Sequence, residues 1–171
     1  MEKQVDRLAD SEDLRRLGEL IKGVRIAMLT TAEKDGSLRS RPMATQEVEF
    51  DGDLWFFTEA GSGKVDEVLG NRHVNVSYAS PEDQRYVSVT GTAQLIYDRE
   101  IARRLWSPAY RIWFPRGLDD PDLALLKVRV ERAEYWDAPS SKMVMLAGLV
   151  KSIVTGERYQ AGEHGQIDVQ H

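Results

Sequence analysis

Arg39 and Arg41 flank Ser40 on a stretch that reads as a strand. Alternate strand residues share a face, so both guanidinium groups point the same way. Planar, bidentate donors in that arrangement suit a phosphate or carboxylate, although a solvated strand face carries the same pattern. A second set runs Thr58-Glu59-Ala60-Gly61-Ser62-Gly63-Lys64, between an apolar run and a helical one. Glycines let the backbone approach a ligand closely. The N–H groups at the helix start, the Ser62 hydroxyl and the Lys64 ammonium can all donate to a phosphate. The spacing is not that of a Walker loop, and a plain connector is the competing reading. A third set is aromatic: Trp55, Phe56 and Phe57, then Trp106, Tyr110, Trp113 and Phe114, then Tyr135 and Trp136. Aromatics on strands usually fill a core. Trp113-Phe114 beside Pro115, Arg116 and Gly117 suits instead a cover over a ring system or a dimer contact.

Other chemistry finds little support. The chain has no cysteine, which removes thiolate nucleophiles, disulfides and cysteine metal sites together. His73, His164 and His171 lack metal-ligand spacing. Asp119-Asp120 with Asp122 form a proline-flanked acidic run that reads as a capped, solvated turn rather than a metal cluster. The 171 residues fit one domain, with 42% hydrophobic and 30% charged residues typical of a globular protein. A net charge of −5 argues against nucleic acid as the main partner. The longest apolar run, Met143 to Val150, is too short for a membrane span. The charged opening shows no signal peptide, so a cytoplasmic location is the default expectation.

The elements that must carry these residues are legible in the pattern. Ser11 reads as the N-cap of a helix closed by Gly23. Strands are expected at Val24–Thr31 and Ser37–Ala44 around the Lys34-Asp35-Gly36 turn. A further hairpin is expected from Val48 and Phe50, through Asp51-Gly52-Asp53, to Leu54–Thr58. A short helix follows Lys64 and ends near Gly70-Asn71. Strands at Val74–Ala79 and Tyr86–Tyr97 come next, the second bent at Gly91. Asp98 caps a helix to about Trp106, and Leu125–Tyr135 is the last long strand. A closing helix is expected at Ser140–Ile153. The domain then spans 1–155, and 156–171 is expected to be a loose polar tail. The fold class is α+β, mainly β, with a closed or nearly closed antiparallel sheet.

The order of these motifs resembles the pyridoxamine 5′-phosphate oxidase-like flavin proteins. The residues that carry the resemblance are Arg41-Pro42-Met43, Trp55-Phe56-Phe57-Thr58, Ser62-Gly63-Lys64 and Ala133-Glu134-Tyr135-Trp136-Asp137. Trp113-Phe114, then Asp119-Asp120-Pro121 and Leu125-Leu126-Lys127-Val128, are similar to the general stress protein 26 branch. The resemblance covers about Gly18 to Asp137. It implies a Greek-key split β-barrel with short flanking helices, a homodimer, and FMN in clefts at the interface. By the same resemblance Arg41, Pro42, Met43 and Ala44 line the flavin, Phe57 and Thr58 contact it, and Lys64 binds its phosphate. Tyr86 stands where the oxidase has a flavin-contacting glutamine, and Trp136 matches a late tryptophan near the cofactor. Arg39, Ser62 and Trp113 complete the expected cofactor set.

Two departures bear on function. Gly63 stands where the oxidase has an arginine beside its phosphate lysine, which implies either weaker phosphate binding or compensation by Arg39. The arginine–X–histidine pair that holds the pyridoxal substrate has no counterpart in Ala138 to Val150, so vitamin B6 phosphate is not the expected substrate. Three readings stay open. One is an FMN-dependent oxidoreductase linked to stress response, passing electrons from a reduced nicotinamide to a small acceptor. Another is a flavin-binding or sensing stress protein without turnover. The third is a split barrel that holds haem or a deazaflavin.

Overall fold

The computed structural model describes residues 2–138 and 162–169, together with residues 151, 153 and 155. It has an opening helix, α1 (Glu2–Ile21), and seven strands: β1 (Ile26–Ala32), β2 (Leu38–Ala44), β3 (Asp53–Glu59), β4 (His73–Ser80), β5 (Arg85–Ile96), β6 (Leu123–Asp137) and β7 (Glu163–Asp168). Two short helices, α2 (Gly63–Gly70) and α3 (Arg99–Leu105), join β3 to β4 and follow β5.

All strand pairs are antiparallel, in the order β2-β1-β4-β5-β6-β3, with β7 added on β6. The end strands β2 and β3 approach each other without hydrogen bonding. The sheet is therefore a barrel split along one seam, as the resemblance implies. Side chains alternate as a half-buried strand requires. Ala27, Leu29 and Thr31 of β1, Leu54, Phe56 and Thr58 of β3, and Val74, Val76 and Tyr78 of β4 all point inward. Leu17 and Leu20 of α1 close one end of this core. Arg16 of α1 reaches Asp137 at 3.3 Å and Glu163 at 3.0 Å, which ties the helix to β6 and β7.

Turn chemistry sets the boundaries. Gly36 takes φ 85° in the β1–β2 hairpin, and the Asp98 carboxylate accepts the N–H groups of Glu100 and Ile101 at 2.9 and 3.0 Å. The β5–β6 register shifts at Thr90/Gly91. A Cβ on Gly91 would sit 2.2 Å from the Arg129 carbonyl oxygen, so the bend needs glycine.

Three expectations are corrected. Ser11 lies inside α1 rather than at its cap, because the helix begins at Glu2. No strand forms at Val48–Phe50: the segment crosses the seam between β2 and β3, where no neighbouring strand offers an edge, and Phe50 packs on the core. The C-terminal stretch is not loose throughout, since β7 pairs with β6 from Arg132↔Asp168 to Asp137↔Glu163 and buries Ile167. Its polar alternation hid an edge strand that contributes one core residue. The expected closing helix lies outside the described residues except at Lys151 and Ile153, which are helical. No helix among the described residues is long and apolar enough to cross a membrane.

The close approach at Gly91 gives a direct test. Gly91→Ala should lower stability by about 1–3 kcal/mol through backbone displacement at the bend. Urea unfolding of parent and variant measures it, and an unchanged midpoint would contradict the packing described.

Candidate functional site

The cationic corner is built where β1, β2 and α2 meet. Arg41 faces inward from β2, in register with Leu29, and stops short of the core. Its Nη1 donates to the Thr31 hydroxyl at 2.7 Å and its Nη2 to Glu67 Oε2 at 2.6 Å. The Thr31 hydroxyl in turn donates to the same Glu67 oxygen. Arg41 and Glu67 are only 16% and 12% exposed, so this is a sheltered pair, and Arg41 keeps N–H donors beyond the two it uses. Burial alone would raise the Glu67 carboxyl. The hydrogen bonds from Thr31 and Arg41, with the charges of Arg41 and Arg39, outweigh it and hold the group below its ordinary value. Arg39 is mostly exposed and stands 3.9 Å from both Glu33 and Glu67.

Lys64, in the first turn of α2, makes no hydrogen bond or ion pair among the described residues. Partial burial and the nearby Arg41 charge push its ammonium below the ordinary lysine range, and Glu59 and Glu67 only partly oppose this. The loop before it is open: a Cβ on Gly61 or Gly63 would meet nothing within 4 Å. The Ser62 side chain does not cap α2 and lies 3.4 Å from the Thr58 hydroxyl. Thr58 itself is buried at the end of β3.

Phe57 points to the opposite face of β3 from Thr58 and anchors an aromatic ledge. Trp106, Tyr110 and Phe114 pack on it with ring centroids 5.5, 5.0 and 6.4 Å away. Trp113 extends the ledge from Tyr110, at 6.3 Å, and is 56% exposed. Most of the Trp106–Phe114 aromatics therefore find partners within one chain, around Phe57. Their number alone does not demand a dimer contact.

The structure thus gathers Arg39, Arg41, Thr58, Ser62 and Lys64 near one corner, with Phe57 and Trp113 on the adjoining ledge. It does not bring Tyr86 or Trp136 there within one chain. These two are cross-strand partners on the outer face of β5 and β6. Along the sheet Arg41 is three strands from Tyr86, about 14 Å by sheet spacing alone. Pro42 and Ala44 also face outward, beside Met28 and Ile26, while Met43 is buried in the core. Met43 therefore cannot line a cleft with its side chain. Sequence reasoning missed Thr31, Glu67 and His164. The signal for Glu67 was its position three residues after Lys64, on the same helix side. His164 stacks on Trp136 at 5.1 Å and bonds Glu134 at 2.8 Å. The acidic run is a capped turn, with the Asp120 carboxylate accepting the Asp122 N–H at 3.0 Å.

Residues 12–160 match the family model described as pyridoxamine 5′-phosphate oxidase like. The chain belongs to that family. It is 28% identical to protein bli-3 of Neurospora crassa over 156 residues, covering 85% of this chain and 75% of that one. The solved general stress FMN/FAD binding protein of Xanthomonas citri is 28% identical, with a TM-score of 0.64 over 74% of this chain and 89% of its own. A general stress protein 26 candidate from Jannaschia sp. CCS1 superposes with a TM-score of 0.74 at 24% identity, over 92% of this chain and 97% of its own.

The Glu67 pairing fixes a pH response. A carboxyl held below its unfolded value of about 4.5 stabilises the fold above that pH and loses the contribution as pH falls through its folded value. Glu67→Gln should lose about 1.5–3 kcal/mol near neutral pH and show a shallower further loss on acidification. Thermal melts of both proteins across the acid range measure this, and parallel profiles would contradict it.

Proposed function

We propose that this family member binds FMN with its phosphate at the Lys64–Arg41 corner. The observation that carries the reading is Lys64 itself. A half-buried ammonium beside a second cation, with no carboxylate bonded to it, is electrostatically complete only when an anion arrives. The open glycine loop leaves room for that anion, and the uncapped start of α2 offers N–H donors. The name of the Xanthomonas citri neighbour supports a flavin as its carrier. Bound there, the flavin supplies the hydride and electron chemistry that a chain without cysteine cannot supply itself.

This chain's own residues then act as a holder. Lys64 neutralises the phosphate, while Thr31 and Glu67 fix the plane of Arg41 so that its remaining N–H groups face one direction. The Phe57 ledge excludes water on one side and offers flat surface for a ring. Tyr86 and Trp136 belong to the same site through a second copy. The outer sheet face exposes Ile26, Met28, Tyr86 and Trp136 at 40–51%, around the small Ser77 and Ser88. A twofold pairing through this face would place one copy's Tyr86 and Trp136 toward the other's corner.

The activity that fits best is an FMN-dependent oxidoreductase linked to stress response, using a reduced nicotinamide and a small acceptor. A storage or sensing role is the second reading. Glu67 already engages Arg41, and Gly63 adds no charge, so the phosphate hold is light enough for reversible release.

Lys64→Ala should weaken FMN binding roughly tenfold to a hundredfold, the loss of one charge-assisted contact, with little change in stability. Affinity in the parent should decline as pH rises into an alkaline range below that of ordinary lysine, because the ammonium deprotonates early. Fluorescence titration of the apo-protein reads both, and equal affinities for parent and variant would overturn the assignment. Light scattering should give twice the chain mass of 19.4 kDa; a mass near 19.4 kDa would remove the shared-site reading. Under anaerobic mixing, pyridoxamine phosphate should not bleach the bound flavin faster than free flavin. NADPH bleaching favours the reductase, and its absence favours storage.

A further inference from the structure

We propose that the cleft between α1 and the barrel seam is a second binding site, for a neutral and largely apolar carbonyl compound. The cleft is a cavity of about 1270 Å³, walled by Ile21, Val24, Phe50, Leu54, Phe56 and Tyr78. None of Arg41, Lys64 or Glu67 lines it, so it is separate from the cationic corner and does not rest on the flavin reading.

Two polar groups at its wall lack partners. Tyr78 is 4% exposed, and its phenol makes no hydrogen bond among the described residues. Burial pushes that phenol well above the ordinary tyrosine range, so it is a permanent donor. The Gln46 amide nitrogen is fully buried and unpartnered, while its oxygen accepts from the Tyr110 hydroxyl at 3.1 Å. A buried donor left unmade, as the Gln46 amide nitrogen is, is costly, and the Tyr78 hydroxyl adds a second unbonded group on the same wall. Both groups can donate, so a ligand group that accepts is complementary to them, which is the character of a carbonyl oxygen.

The rim decides the charge. Glu12, Glu19, Glu47, Glu49 and Asp53 outnumber Arg15, Lys22 and Arg25 there, which disfavours an anion. A cation would lose its hydration against an apolar wall. A flat or elongated neutral body with one deep carbonyl fits both constraints, and pockets of this lining bind ligands of that kind.

The test uses the full chain and 2-acetylnaphthalene as probe, with naphthalene as the partner lacking the carbonyl, followed by equilibrium dialysis. The parent should bind the ketone saturably at one site per chain, and more tightly than naphthalene. Tyr78→Phe should weaken the ketone about tenfold and leave naphthalene unchanged. Val48→Trp, on an exposed stretch of the rim, should block both without affecting the fold. Lys64→Ala should bind the ketone like the parent, which separates this site from the flavin corner. No saturable binding to the parent would overturn the proposal, as would parent-like binding by Val48→Trp. Displacement of the probe by FMN would also overturn it. Should Tyr78→Phe fail to fold, Val48→Trp and the naphthalene comparison decide alone.

Discussion

The contact between Arg41 and Glu67 organises the functional end of the molecule. It joins a strand at the free edge of the sheet to a helix that lies between two distant strands, and Thr31 of a third element completes it. Without Glu67, Arg41 would leave an almost buried charge unpaired, which costs several kcal/mol in sheltered surroundings. With Glu67, the guanidinium is fixed but half spent. The unmet positive charge of the corner passes to Lys64, which has no such partner. The arrangement separates roles: Arg41 is held as structure with some donors to spare, and Lys64 is held ready.

A second constraint is the seam. A closed barrel has no edges, whereas this one leaves β2 and β3 unpaired with each other. The segment at 45–52 crosses the gap, Phe50 folds over it, and α1 lies across its end. Helix and segment do not fill the gap completely, and the cleft with the unmet Tyr78 phenol is what remains. Gly18 marks how close the cover lies, since a Cβ there would come within 3.3 Å of Phe50. Arg16 then fastens the same helix to β6 and β7, so the C-terminal strand and the opening helix brace one another.

Much of this was legible in the sequence, for local reasons. Alternating apolar residues, Asp98, Gly36 and Gly91 act through the backbone or nearest neighbours, and each did what its type and position dictate. Arg41 was legible because it shares a strand face with Arg39, and Lys64 and the glycine loop because few roles suit such residues between a strand end and a helix start. What escaped depends on packing across the chain. Thr31 reads as one more β-branched strand residue, and only the arrival of α2 gives its hydroxyl two partners. Glu67 reads as a solvated helix residue until Arg41 faces it. The segment around Val48 has a strand's composition but no edge to pair with. The residues 163–168 have a tail's composition, yet β6 offers them one.

Charge explains why the corner can stay poised rather than collapse. An acidic chain of net charge −5 could readily have supplied Lys64 with a bonded carboxylate. Glu59 and Glu67 are near enough to act on it, but neither bonds to it. Glu67 is committed to Arg41 and Thr31, and Glu59 is an exposed residue at the end of β3. If Glu67 were released it could turn to Lys64, three residues before it on the same helix, since pairs at that spacing are in reach. The Arg41 contact therefore does two things at once. It satisfies a sheltered guanidinium, and it keeps the carboxylate best placed to quench Lys64 from doing so.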